Sequence, residues 1–142
     1  MKRKTFLFSV ITLFLLTAGI GCEKNKDYEV PTQLTDTRWE LAGIVDAKTG
    51  EITPLTPKGS YWFKFISETK ARGGSVLNIM AIDLTSPPFF NIETEIGDSH
   101  NGDAALFYRI IKTLESYTWE KNELKFFYDN KQYYLLYKYS KS

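Results

Sequence analysis

The sequence predicts a mainly β fold of the α+β class: a strongly curved antiparallel sheet or partly open barrel of about seven strands, with one helix before the last three strands. Three observations support this fold class. Apolar and polar residues alternate in several short segments, turn-forming residues separate these segments, and a single segment shows helical periodicity. Because the connections are short, we expect antiparallel pairing of successive strands.

The first two strands are predicted before residue 67. The segment 37–45 places Trp39 and Leu41 on one face, and residues 48–50 provide turn chemistry after it. The segment 61–66 is predicted to be the second strand. Its alternating aromatic residues share one face: Tyr61, Phe63 and Phe65.

The next two strands are predicted around a pair of glycines. Gly73-Gly74 indicates a break, so that 70–75 is expected to be a hairpin turn with exposed cations. The largely apolar segment 76–84 is the third predicted strand, and Ser86-Pro87-Pro88 ends it. The fourth, which begins at Phe90 and extends to residue 96, alternates apolar residues with polar ones: Asn91, Glu93 and Glu95.

The helix is predicted over 104–114, with Asp103 as its N-cap residue. Apolar residues at i, i+3, i+4 and i+7 form the stripe of an amphipathic helix: Phe107, Ile110, Ile111 and Leu114. A short strand is predicted at 117–120. The last two strands, 123–128 and 132–139, are predicted to form a hairpin through Asp129-Asn130-Lys131.

The N-terminus has the layout of a secretory signal peptide, which we assign to residues 1–21. A basic start, Lys2-Arg3-Lys4, precedes an apolar run over 6–16 and then small residues. The run is too short to cross a bilayer as a helix, which requires about 20 residues. Cys22, the only cysteine, follows directly. An ordinary secretory peptide with a cysteine near its cleavage point is the alternative.

The arrangement Gly19-Ile20-Gly21-Cys22 resembles the cleavage region of bacterial lipoprotein precursors. The resemblance implies a diacylglycerol thioether on Cys22 and usually an amide-linked acyl chain, so that Cys22 is the lipid attachment site and the membrane is a partner. Two or more acyl chains hold a protein durably in a bilayer. Glu23 in place of aspartate lacks the inner-membrane retention signal known from enteric lipoproteins, so we expect the outer membrane of a Gram-negative bacterium.

The chain therefore divides into the signal peptide 1–21, a lipidated cysteine and flexible tether over 22–35, and a β-rich domain over 36–142. The full chain has 18 basic and 17 acidic residues. Loss of the signal peptide leaves 15 basic residues against 17 acidic residues, a net charge of −2. A mildly acidic domain offers no electrostatic case for binding nucleic acid.

Five features follow one another in the domain: Trp39-Glu40-Leu41, the aromatic segment 61–66, a glycine-containing approach to Asn78, the segment 107–117 and the segment 123–128. This order resembles the META/HslJ family of small bacterial envelope proteins. The resemblance implies an envelope lipoprotein without an assigned reaction. The alternative is a lipocalin-like barrel that carries a small apolar ligand.

The sequence contains no complete catalytic or metal-binding set. His100 is the only histidine and lies in a polar loop, whereas a zinc site of the His/Cys kind needs three or four ligands. The same loop supplies possible calcium ligands at Asp98, Asn101 and Asp103, but their spacing does not match the EF-hand pattern. We therefore expect a solvated loop here, no metal, no cofactor and no enzymatic activity.

Three weaker signals remain. Glu93 and Glu95 are expected on the polar face of a strand rather than as a catalytic pair. The segment 70–75 lacks the spacing of a phosphate-binding loop. Certain aromatic residues would suit a small-molecule, glycan or protein partner if they were exposed together: Tyr61, Trp62, Trp119, Tyr128 and Tyr134. The sequence thus predicts a lipid-anchored envelope protein with a non-catalytic binding or envelope-support role.

Overall fold

The structure, a computed structural model, describes residues 30–94 and 102–141. These residues contain nine strands and one helix: β1 (Arg38–Asp46), β2 (Ile52–Thr53), β3 (Tyr61–Phe65), β4 (Lys70–Ser75), β5 (Asn78–Asp83), β6 (Phe90–Ile92), α1 (Gly102–Ile111), β7 (Ser116–Glu120), β8 (Glu123–Tyr128) and β9 (Tyr133–Ser140). In these ranges no helix has the length and apolar character needed to span a bilayer.

The strands form one antiparallel sheet that curls into a half-barrel. Eight strands follow the order β6-β5-β4-β3-β1-β9-β8-β7, and β2 pairs with β1 beside this path. The first and last long strands are central neighbours, paired from Arg38↔Ser140 to Asp46↔Tyr133 with a register shift between Leu41 and Gly43. Such a bulge increases the local twist of a sheet. The predicted fold class is confirmed.

The concave side of the half-barrel is filled by aromatic side chains. The ring of Phe63 lies 4.5 Å from that of Tyr137 and 6.3 Å from that of Phe126, and Phe90 lies 4.8 Å from Phe126. Tilted and edge-to-face pairs at these distances are the arrangement that aromatic quadrupoles favour. The described concave side is therefore packed rather than hollow, which argues against the lipocalin-like alternative.

Helix α1 packs on this core through the predicted stripe. The helix ends at Ile111 rather than at residue 114, so Leu114 lies just beyond it, but all four stripe residues are buried. The ring of Phe107 lies 4.7 Å from that of Tyr61. The N-cap prediction is wrong, because the helix begins at Gly102 and Asp103 lies in its first turn. The Asp103 carboxylate instead accepts hydrogen bonds from the backbone nitrogen of Thr56 at 2.7 Å and from its hydroxyl at 2.9 Å. Asp103 thus fastens the helix to the connection between β2 and β3.

The sequence-based assignment is wrong between residues 70 and 77. Gly73 and Gly74 do not form a turn; they lie inside β4, and Val76 and Leu77 form the turn before β5. A Cβ atom on Gly73 would lie 1.9 Å from the carbonyl oxygen of Trp62, so the absence of a side chain permits a close approach of β3 and β4. The strand β4 and the two-residue β2 account for the difference from about seven strands.

The remaining strands agree more closely with their predictions. The strands β1, β3 and β7 lie within one residue of the predicted bounds, and β8 and β9 form the predicted hairpin. The strand β6 is shorter than 90–96, since it ends at Ile92. Residues 95 and 96 of that prediction lie outside the described residues.

Candidate functional site

Several residues that the sequence singles out lie outside the described residues. They include the lipid-attachment candidate and most of the polar loop: Cys22, Glu95, Asp98, His100 and Asn101. The signal peptide and the tether up to residue 29 also lie outside. Of the candidates for chemistry, the structure places Glu93, Asp103 and the segment 70–75.

The chain enters the domain at a clamp formed by Glu68 in the β3–β4 turn. The Glu68 carboxylate accepts hydrogen bonds from the hydroxyl of Thr35 at 2.6 Å, from the backbone nitrogen of Thr35 at 2.8 Å and from that of Leu34 at 3.0 Å. These bonds, led by the Thr35 hydroxyl, lower the pKa of Glu68. Leu34 itself is buried. Contacts with the domain therefore begin two residues before the predicted boundary at 36.

A groove of about 580 Å³ begins at the same turn, on the outer face of the sheet. Its floor is a row of cross-strand neighbours from β4, β5 and β6: Arg72, Ala81 and Asn91. The loop between β5 and β6 forms one wall with Ser86, Pro87 and Pro88, and Ile66 of the β3–β4 turn lies at one end. The small side chain of Ala81 between two longer ones makes the floor concave.

Two cations and two carboxylates line this groove. Lys70 is the cross-strand neighbour of Asp83, whose pKa is lowered by hydrogen bonds from Thr85 and, to a smaller extent, by Lys70. Arg72 forms an ion pair with Glu93. Glu93 therefore faces solvent with a cationic partner, as expected for the polar side of its segment. The groove is polar, charge-balanced and open, and solvent-exposed ion pairs of this kind contribute little to stability.

The groove and its row of neighbours gave no signal in the sequence, because they combine residues from three strands. The segment 70–75 carries its two cations on one face of β4, since Ala71 is buried and Arg72 is exposed. The alternation that reveals this strand was hidden by Gly73-Gly74. A strand assignment for 70–75 would have placed Lys70 and Arg72 side by side.

A buried polar cluster lies beneath the turn between β4 and β5. The hydroxyl of Tyr108 accepts a hydrogen bond from Nδ2 of Asn78 at 2.8 Å and donates one to the carbonyl oxygen of Ser75 at 3.1 Å. The Ser75 hydroxyl lies 2.8 Å from the hydroxyl oxygen of Tyr108. Since the Tyr108 hydroxyl has protein partners for donating and accepting, the cluster fixes α1 to the sheet and shows no sign of holding a ligand.

The aromatic residues considered for a common patch do not lie together. Tyr61 is in the core, whereas Trp62 lies on the outer face beneath the guanidinium of Arg38, 4.1 Å from the ring centroid. Tyr134 is separated from Trp62 by β1 and contacts Phe127 with ring centroids 5.2 Å apart. The other two have partners of their own: the Trp119 indole donates to the carbonyl of Lys121, and Tyr128 stacks on Tyr133.

The described residues offer little for acid–base or metal chemistry. Across 30–94 and 102–141, no group of three or more His, Cys, Asp or Glu residues could hold a metal ion. Three carboxyl groups have lowered pKa values, each through hydrogen bonds from a threonine: Glu68, Asp83 and Asp103. A carboxyl group that acts as a general acid near neutral pH needs the opposite shift. These three carboxylates hold backbone segments in place.

Comparison with known proteins gives one informative match. A protein of Tannerella forsythia named "Putative lipoprotein" is 79% identical to this chain over 141 residues, which cover 99% of each chain. A scan of protein families finds no match to the chain. A search of solved structures also finds no match.

Proposed function

Because the chain belongs to the same lipoprotein family as the Tannerella forsythia protein, we propose that it is anchored in the cell envelope by acyl chains on Cys22 and acts there without catalysis, by binding or by supporting the envelope. The similarity to this relative is the main support for the proposal. It extends over 99% of the chain and therefore includes the region around Cys22. The motif before Cys22 supplies the chemical reason for the attachment.

The structure supports a short connection between the anchor and the folded part. Residues 23–33 lie between Cys22 and the clamp at Leu34. Even a fully extended chain of this length keeps Leu34 within about 40 Å of the acylated residue. Acyl chains on Cys22 would therefore hold the half-barrel close to the membrane surface, and they would also remove the only thiol from chemistry.

Two finer parts belong to the same proposal. The domain is a divergent member of the META/HslJ type, supported by Trp39 on the first strand and by a helix before the last three strands. The membrane is the outer membrane of a Gram-negative bacterium, supported by Glu23 after Cys22 and by the species of the relative. The packed concave side favours a binding surface on the outside of the sheet over an internal ligand.

The anchor is tested by expressing the full chain in a Gram-negative host and analysing the mature N-terminus by mass spectrometry. We expect an acylated Cys22 as the first residue and recovery in the membrane fraction. The Cys22→Ala variant should lose the acyl chains and their attachment to the mature protein. An unmodified Cys22 in a protein recovered from the periplasm would contradict the proposal.

The membrane is tested with the Glu23→Asp variant, which keeps Cys22 and changes the side chain by one methylene. We expect wild type in the outer-membrane fraction and the variant shifted to the inner membrane. The Glu23→Gln variant is the matched control and should stay with wild type. Equal distribution of wild type and Glu23→Asp would contradict sorting by this residue while leaving the anchor intact.

A further inference from the structure

The tether reaches the domain at one defined end of the sheet. Besides the Glu68 clamp, the backbone nitrogen of Asp36 donates to the carbonyl oxygen of Phe65 at 3.1 Å. Both contacts lie at the β3–β4 turn, so the chain that runs back to Cys22 leaves from this end. A flexible chain of this length has a mean span of roughly 20 Å. With the proposed anchor at Cys22, we therefore expect the β3–β4 turn to be the part of the half-barrel nearest the membrane.

Two exposed apolar tips lie at opposite ends of β4. Ile66, in the β3–β4 turn, is 62% exposed, and Leu77, in the β4–β5 turn, is 58% exposed. Isolated exposed apolar residues are common and carry no meaning alone. The position of the tether distinguishes Ile66 from Leu77. The chain enters the domain beside Ile66, whereas Leu77 lies at the opposite end of β4.

A row of three cations crosses the outer face next to Ile66. Lys64 of β3 is the cross-strand neighbour of both Arg38 on β1 and Arg72 on β4. We call Arg38, Lys64 and Arg72 the basic row. Adjacent strands are about 4.8 Å apart, and like charges directly opposite one another are unfavourable. Among the described residues, Lys64 belongs to none of the ion pairs.

The acidic partners of the basic row lie farther from the tether. Glu40, which pairs with Arg38, is aligned with Trp62, and Glu93, which pairs with Arg72, is hydrogen-bonded to Ile79. Each acidic partner is therefore displaced from the basic row by two residues along the strands, toward the Leu77 end. Closer to the turn, the negative charge of Asp83 is balanced by the positive charge of its cross-strand neighbour Lys70. In the turn itself, the Glu68 carboxylate is engaged by hydrogen bonds from Leu34 and Thr35, and the basic row follows on the outer face of the adjoining strands.

We propose that this end of the half-barrel docks on the phospholipid headgroups of the membrane that holds the anchor: the basic row binds headgroup phosphates and Ile66 inserts among the headgroups. The inference rests on the proposed anchor at Cys22. An apolar side chain beside cations is the combination that binds a phospholipid interface. Docking orients the domain, so that the Leu77 end and the turn around it face away from the membrane.

The orientation is tested with lipidated protein inserted into preformed vesicles of phosphatidylcholine, with and without phosphatidylglycerol. With Cys22 acylated, a second cysteine is the only thiol that reacts. Thr69→Cys places an environment-sensitive fluorophore beside Ile66, and Leu77→Cys places it at the opposite end. We expect a blue-shifted emission and protection from an aqueous quencher at 69 and not at 77, with a larger effect when phosphatidylglycerol is present.

The opposite pattern, with the probe at 77 shifted and the probe at 69 unchanged, would overturn the proposal, since the Leu77 tip would then face the membrane. Two unchanged probes would also overturn it, because the domain would stand free on its tether. Flotation of the vesicles separates these outcomes from a failure of the anchor. Protein that does not float with the vesicles lacks the anchor, whatever its probes report.

The basic row is tested by removing its charges. The triple variant Arg38→Gln/Lys64→Gln/Arg72→Gln should lower the equilibrium constant for docking on anionic vesicles by roughly fivefold per cation removed, and salt should weaken docking of wild type. The matched control removes three exposed cations elsewhere: Lys48→Gln, Lys112→Gln and Lys131→Gln. Lys64→Gln alone, which breaks no ion pair, keeps the test valid if the triple variant misfolds. If the basic-row variant and the control variant docked equally well, the basic row would have no role in docking.

Discussion

The carboxylate of Glu68 binds both the hydroxyl and the backbone nitrogen of Thr35, a residue 33 positions earlier in the chain. The same oxygen, Oε1, accepts at 2.6 Å from the hydroxyl and at 2.8 Å from the nitrogen. This relationship ties the end of the tether to the β3–β4 turn. If the chain is anchored and docked as proposed, this contact sets which part of the half-barrel lies nearest the membrane.

The Glu68→Gln variant should loosen the start of the domain. An amide has one acceptor oxygen, so it cannot replace both carboxylate oxygens that hold Leu34 and Thr35. We expect faster hydrogen exchange at these two amides and unchanged exchange in the core strands. The Glu51→Gln variant, an exposed glutamate away from the clamp, is the control. Unchanged exchange at Leu34 in Glu68→Gln would show that other contacts hold this segment.

The clamp should also depend on pH in a defined direction. The pKa of Glu68 is lower in the folded state than its ordinary value of 4.5. The stabilisation is therefore complete above the ordinary pKa and is lost as the pH falls through the folded pKa. We expect the amides of Leu34 and Thr35 to lose protection in that acidic range in wild type. In Glu68→Gln, their residual protection should not change across the same range.

Tyr108→Phe should destabilise the domain. The hydroxyl of Tyr108 satisfies the buried side chain of Asn78 and the carbonyl of Ser75, and both residues are almost fully buried. Loss of the hydroxyl leaves buried polar groups without this partner, which costs about 1–3 kcal/mol. Urea unfolding of wild type and variant measures the difference. A change of less than a few tenths of a kcal/mol would mean that water replaces the hydroxyl.

Tyr137→Phe should leave the stability of the domain unchanged or raise it. Tyr137 is 0% exposed, and its hydroxyl has no hydrogen-bond partner among the described residues. Burying a hydroxyl without a partner is unfavourable, so its removal should leave stability unchanged or raise it by about 1 kcal/mol. The same urea experiment makes Tyr108→Phe and Tyr137→Phe a matched pair. A loss of stability in Tyr137→Phe equal to that in Tyr108→Phe would contradict the unpaired state of this hydroxyl.

Three tyrosines with raised pKa values should make the domain sensitive to alkali. Burial raises the pKa of Tyr61 and Tyr128 to about 12 and raises that of Tyr137 well above 10. Since the folded pKa exceeds the unfolded pKa, the stabilisation is complete below pH 10 and is lost as the pH rises toward the folded values. Tyrosinate absorbance should therefore show a step that coincides with alkaline unfolding. In Tyr137→Phe this step should move to higher pH.

Segments whose own pattern decides their structure were predictable from the sequence. The alternation of Tyr61, Phe63 and Phe65 defines β3, and the spacing from Phe107 to Ile111 lies on the buried face of α1. The final hairpin follows from two aromatic strands around a polar turn. In each case one periodicity and one turn signal agree, and no distant contact is needed to choose between helix and strand.

Features that depend on register were not predictable. The basic row joins Arg38, Lys64 and Arg72 from three strands, and nothing in their spacing along the chain aligns them. The pairing of β1 with β9 is likewise a property of the assembled sheet. The glycine pair misled the assignment for a related reason: turn propensity is visible in the sequence, whereas the close approach of Trp62 to Gly73 is not.

Gly73→Ala should destabilise the domain far more than Gly74→Ala. A Cβ on Gly73 would meet the Trp62 carbonyl oxygen at 1.9 Å and the Cα of Phe63 at 2.6 Å. Both are backbone atoms of the paired strand, so β3 and β4 would have to move apart, at a cost of about 3 kcal/mol. A Cβ on Gly74 would meet the indole nitrogen of Trp62 at 3.1 Å, and this side chain can shift. Its effect should stay within about 1 kcal/mol. Urea unfolding compares the two, and equal losses would contradict a requirement for glycine at 73 alone.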